Sequence, residues 1–336
     1  MVRPVKQTSS DPLVATETWF LKHGLPYFVA EERAAARAGI RPRRLVPVVV
    51  VLLLVAAAAG GVLGWVSEQY STGPALWLSL AVLGLVWYGA TALHARPILG
   101  FALSRTLGSV RLLLPMASRA LPLLLVFVTF LFINAEAWQM TSALPFGVLW
   151  LTVLLLFGLA VLFLMTRLPE EVDRVDDAVD QTFLVRACRG TPLESASGEL
   201  AAEEALNPQN YAQVTGFERW NLILVLLVIQ TVQVLFLAVA VFVFFLLFGS
   251  LVMEASVQLA WTGLPHLTAA PYLSNVSTSL LKVSLFLASF SGLYFTVAAV
   301  TDDTYRRQFF AAVEEQLERA VGVRTAYLVL RERARD

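Results

Sequence analysis

The sequence predicts an all-α, polytopic integral membrane protein: six transmembrane helices arranged as three hairpins, both termini cytoplasmic, with interfacial or cytoplasmic amphipathic helices between them. Three observations predict it. The 336 residues are 57% hydrophobic and only 15% charged, against about 25% charged in a soluble domain. The apolar residues gather into blocks of roughly 20, the length a helix needs to cross the hydrocarbon layer. Lys and Arg fall only in alternate connections, Lys282 excepted, which is the asymmetry left by insertion with the positive side inside.

Residues 1–44 read as a cytoplasmic lead. Trp19, Phe20, Leu25, Tyr27 and Phe28 give it apolar character, and Arg41, Arg43 and Arg44 follow directly before the first apolar run. That combination suits a helix lying in the membrane interface; packing against the protein's own cytoplasmic parts is the alternative. The first apolar run starts near Leu45, too far from Met1 for a cleavable signal peptide.

The predicted spans are 45–66, 75–95, 121–138, 146–166, 220–253 and 277–300. In the first, Ala56, Gly60 and Gly64 recur every four residues, a spacing that lets another helix approach closely. The links 67–74, 139–145 and 254–276 contain no Lys or Arg and are expected outside. The segments 96–119 and 167–219 and the tail 301–336 carry the basic residues and are expected in the cytoplasm. The link 254–276 is too apolar for a plain loop and is expected to fold back as a cap or re-entrant helix. The tail reads as an amphipathic helix with Tyr305, Phe309, Val313 and Leu317 on one side. Only three of the basic residues are Lys, a bias that suggests a GC-rich bacterial genome and hence a bacterial cytoplasmic (inner) membrane.

Polar residues inside spans are costly and point to function or to helix contacts. Gln230, Thr231 and Gln233 lie in the fifth span. Gln230 is eleven residues past Arg219, about 16 Å along a helix, near the bilayer centre. These three are the candidate mid-membrane polar path, with interhelical hydrogen bonding as the plainer explanation. Glu136 and Lys282 both fall near the outer boundary, about 25 and 30 Å from the cytoplasmic edge by helical rise. With Asn134 they form a candidate outer-gate ion pair; snorkelling of Lys282 to the headgroups is the alternative. Ser284, Ala288, Gly292 and Thr296 repeat every four residues in the sixth span as a helix-packing face.

Several classes find no support. Cys188 is the only cysteine, so no disulfide within the chain and no Cys-based metal site can form. His23, His94 and His266 are not placed to activate Ser291, so an enzyme is not expected. Glu170, Asp173, Asp177 and Asp180 read as a solvated helix face before a divalent-cation site, and no metal or cofactor is assigned. No glycine-rich phosphate loop occurs, and no nucleic-acid module. The expected partners are the lipid bilayer, further copies of the chain as a homo-oligomer, and a soluble cytoplasmic protein.

Two functions remain: a transport or channel component for a small solute or ion, and a non-transporting scaffold or sensor that docks a soluble partner on its cytoplasmic helices. Over residues 12–300 the layout resembles that of the type-2 permeases of the ATP-binding-cassette transporters: a lead helix, six spans, a cytoplasmic helix between spans two and three, and re-entrant structure between spans five and six. The segments 167–219 and 301–336 depart from that layout. The resemblance implies transport coupled to a separate ATPase subunit.

Overall fold

The computed structural model describes residues 11–108, 126, 128–203, 206–270, 273–301 and 303–335. Residues 121–125 and 127 of the predicted third span, 121–138, and residues 109–119 of the connection before it lie outside these residues. What is described is all-α apart from one two-stranded ribbon. Among the described residues five helices are long and apolar enough to cross a membrane.

The lead forms two helices, α1 (Pro12–Lys22) and α2 (Ala30–Gly39), joined by a 3-10 turn at Pro26–Phe28. Asp11 starts α1 by accepting from Leu13 N at 2.9 Å, supplying one of the partners a helix start lacks. The spanning helices α3 (Pro42–Val66) and α4 (Thr72–Ala92) follow as a hairpin, then α5 (Arg96–Gly108). Close approach explains the small-residue repeat in α3. A Cβ on Gly60 would sit 2.6 Å from Gly73 O, and one on Gly64 would sit 3.3 Å from Gly73 Cα.

The expected third span does not run to 138. The chain turns at Asn134, whose Oδ1 accepts from Glu136 N at 2.8 Å, and a separate helix α6 (Ala135–Ala143) begins there. The expected link 139–145 is therefore mostly helical. Helix α7 (Phe146–Asp177) continues through Pro169 well past the predicted end of its span. The connection after it, expected to be loop-like beyond Gly190, holds α8 (Gln181–Cys188), α9 (Glu194–Ala201) and the short α10 (Gln209–Ala212).

Helix α11 (Gly216–Val252) is the longest element, at 37 residues. It leads to α12 (Ala255–Thr262), which Gly263 closes with φ +67°, a backbone conformation that glycine adopts without penalty. Strands β1 (Ala269–Ala270) and β2 (Leu273–Ser277) then pair antiparallel, Ala269 opposite Ser277. The segment expected as a cap or re-entrant helix is thus a short helix and a ribbon. Helices α13 (Thr278–Thr301) and α14 (Asp303–Arg333) complete the chain. Tyr305, Phe309 and Val313, expected to form a face of the tail, fall where side chains are not described; Leu317 is buried.

Two apolar cores result. One, at the basic end of the spans, is a folded layer built from distant parts of the chain: Phe20, Tyr27 and Phe28 of the lead, Leu168 and Val172 of α7, Phe183 of α8, Leu222 and Leu226 of α11, and Val321 and Tyr327 of α14. The lead therefore packs on the protein itself. At the other end Phe132, Trp138, Phe245 and Leu280 form a second core, with the Phe132 and Phe245 rings stacked 4.8 Å apart.

Candidate functional site

Helix α13 returns along α11; α11 carries Gln230, Thr231 and Gln233, and α13 carries Ser284, Ala288, Gly292 and Thr296. A Cβ on Gly292 would lie 3.4 Å from Val234 Cγ1 and 3.6 Å from Ala238 Cβ, so the two helices run in van der Waals contact there. Ser284, Ala288 and Thr296 are buried on the same helix. The Thr296 hydroxyl satisfies itself by donating to Gly292 O at 2.8 Å, a common arrangement inside helices.

Gln230 is different. It is fully buried, and among the described residues neither its Nε2 nor its Oε1 has a partner. Gln233 Oε1 and Ser284 Oγ are also buried without one. Thr231 is half-buried. Each buried polar group left unpaired costs about 1–3 kcal/mol. Among the described residues the Gln230 amide therefore keeps unused hydrogen-bonding capacity inside an apolar helix.

Lys282 and Glu136 do not meet. Lys282 Nζ donates to Ser142 O at 3.0 Å and Leu144 O at 2.6 Å, and lies 5.2 Å from the centre of the Phe146 ring. A cation on the final carbonyls of α6 is the favourable end for it. Glu136 is exposed, and Asn134 is the cap of α6. The candidate outer ion pair is replaced by a lysine that fastens α6 to α13.

The sequence reading missed the polar framework at the basic end. The buried Glu218 carboxylate bridges Arg33 and Arg324, with Arg324 Nε donating at 2.7 Å. Arg324 also donates through Nη1 to Tyr211 O at 2.8 Å. One turn further along α11, Asn221 Nδ2 donates to Gly24 O and its Oδ1 accepts from Tyr27 N, both at 2.8 Å. The Tyr27 hydroxyl donates to Leu93 O at 2.7 Å, and burial pushes its pKa up to about 12. This network holds lead, tail and connections to the foot of α11. Its signal was Glu218 and Asn221 three residues apart at the border of an apolar run, where polar residues attract no notice.

The acidic stripe is also largely occupied. Asp173 pairs with Arg219 at 2.8 Å, Glu170 pairs with Arg167, and Asp180 caps α8 by accepting from Phe183 N at 2.6 Å. That hydrogen bond and one from Thr182 hold the Asp180 carboxyl below the usual carboxylate range.

A cleft of about 120 Å³ opens beside the foot of α11, between α1, α5, α11 and α14. His23, Arg105, Gln316 and Arg319 supply its polar lining, and the rest is apolar, including Leu222, Val225 and Leu226. Gln230 follows Leu226 by four residues, one turn further on the same stripe of α11.

Comparison with protein-family models, with curated proteins and with solved structures gives no match, and so no support for the permease layout. Function has to be read from the chain itself.

Proposed function

We propose that the protein is a transport or channel-type component of a bacterial cytoplasmic membrane, with both termini in the cytoplasm, that passes a small polar solute or ion along the α11–α13 seam. The observation that carries this reading is the Gln230 amide, fully buried near the middle of a candidate spanning helix, with neither atom paired among the described residues. Irregular polarity at membrane depth persists where it lines a cavity or meets a polar partner. Gln233 on α11 and Ser284 on α13 carry further buried polar atoms that are unpaired among the described residues. Amide and hydroxyl groups offer both donors and acceptors without fixed charge, which suits a solute shedding part of its water shell.

The scaffold reading has its own support in the folded layer, where lead, connections and tail share one core. Reconstitution separates the two. The full chain is placed in liposomes, and osmotic swelling in glycerol or urea and KCl flux with an ion-sensitive dye are measured. The expected result is passage of at least one of these probes, reduced at least tenfold by Gln230→Leu with Gln233→Leu in protein of unchanged folding. Passage unaffected by the double substitution, or absent for all probes, overturns the path and leaves the scaffold.

A further inference from the structure

We propose that the cleft between α1, α5, α11 and α14 holds the phosphate head of an anionic phospholipid. Its polar lining is cationic and contains no carboxylate. Among the described residues neither Arg105 nor Arg319 takes part in an ion pair, whereas Arg33, Arg186, Arg219 and Arg324 nearby each meet a carboxylate. Among the described residues the Gln316 amide lies 2.6 Å from Arg105 Nε and 3.2 Å from Nη2, and with the amide turned so that its oxygen faces the guanidinium it accepts from both. An amide orients a guanidinium without cancelling its charge, and an oriented guanidinium is the preferred partner of a phosphate.

His23 adds a group that donates only when its ring is protonated. Its Nδ1 is 2.8 Å from Trp19 O, and a carbonyl only accepts, so the proton sits on Nδ1. The ring stacks on the Trp19 indole at 4.0 Å. Nε2 is left as an acceptor in the neutral ring and becomes a donor when the ring is protonated. Burial, followed by the charges of Arg319, Arg105 and Lys22, lowers the His23 pKa, which is a separate sign that the cleft is electropositive.

The rest of the lining decides between a lipid and a free anion. Leu222 and Leu226 belong to the first turns of the spanning helix α11, so the apolar floor stands at the edge of the bilayer. The volume takes a phosphate and the first carbons of a chain, with the remaining lipid in the hydrocarbon layer. Basic pockets at the cytoplasmic end of spanning helices recognise acidic lipid heads, and here α11 is the candidate span that supplies the floor. The proposal is independent of the solute path, and its test reads no flux.

The full chain is purified in a neutral detergent, and Tm is followed on adding dioleoylphosphatidylglycerol, dioleoylphosphatidylcholine or sodium phosphate. Phosphatidylglycerol is expected to raise Tm while the other two leave it unchanged. Arg105→Gln with Arg319→Gln is expected to raise the effective lipid concentration at least tenfold. Both side chains are exposed, so folding is retained. Arg189→Gln, an exposed charge outside the cleft, is expected to behave as the parent. Native mass spectrometry should show one phosphatidylglycerol retained by the parent and lost from the single variant Arg319→Gln. An unchanged response in the double variant, an equal loss with Arg189→Gln, or a shift reproduced by sodium phosphate alone would overturn the lipid site.

Discussion

Glu218 at the start of α11 pairs with Arg33 of the lead and Arg324 of the tail. Its side chain is 8% exposed, and that of its partner Arg324 is 10%. Removing one member of a buried pair leaves the other charge uncompensated, which costs about 3–5 kcal/mol. Glu218→Gln should lower stability by that amount in thermal unfolding of the detergent-purified protein. Glu203→Gln, which breaks a half-exposed pair with Arg333, should cost under about 1 kcal/mol. His23 gives a pH dependence. Burial lowers its pKa below 6.5, so the unfolded chain binds the proton more readily than the fold. Its contribution to stability is present above pH 6.5 and is lost as the pH falls through the lowered value. Lys22, Arg105 and Arg319, the charges that act on it, all push the same way. Tm measured against pH should drop just below pH 6.5, and His23→Gln should flatten that limb. At this scale the sequence made Gln230 and Gln233 legible, because amides stand out in an apolar run. It misread Lys282, because depth along one helix does not reveal carbonyls arriving from another. It passed over Asn221, whose partners Gly24 and Tyr27 are remote in the chain.

The helices themselves were mostly legible, since length and hydropathy are local properties; their ends were less so. Asn134 caps α6 while apolar residues continue on both sides, so the predicted third span ran on past the turn. The small helices of 181–212 lack long apolar runs and are held by contacts with α14, which nothing in their own residues announces. The α3–α4 hairpin was the clearest case, because Gly60 and Gly64 declare close contact by their spacing. It also gives a sharp test. A side chain on Gly60 meets Gly73 O at 2.6 Å, whereas Gly61 has nothing within 4 Å. Gly60→Leu should destabilise the protein by about 1–3 kcal/mol through overpacking, and Gly61→Leu should leave it almost unchanged. Thermal unfolding of the two variants side by side checks this.

The whole molecule is unevenly self-buried. Only 11% of the apolar window of α3 and 17% of that of α4 are covered by the protein, against 44% for α13. The α3–α4 pair is therefore the least covered among the described candidate spans, α11 is covered over 22% of its window, and α13 is the most covered. At the basic end the same α11 is fastened into the folded layer through Glu218 and Asn221. The element whose Gln230 amide is unpaired among the described residues is thus also the one tied to lead and tail. Composition revealed the membrane character at once. The layer was not legible, because it is assembled from segments each too short or too polar to suggest a core.

The claim that the seam admits water or solute has a direct measurement. Cys188, the only cysteine, is buried, and burial pushes its thiol up to about 11, so it reacts poorly and can be replaced by Ser as background. In that background Gln230→Cys and Gln233→Cys are treated, in native membranes, with a small water-soluble methanethiosulfonate, beside Leu247→Cys at an exposed apolar position of α11. The account predicts that positions 230 and 233 are modified and 247 is not, because thiolate chemistry requires water. If 230 and 233 stay as unreactive as 247, the seam is dry and the path does not exist.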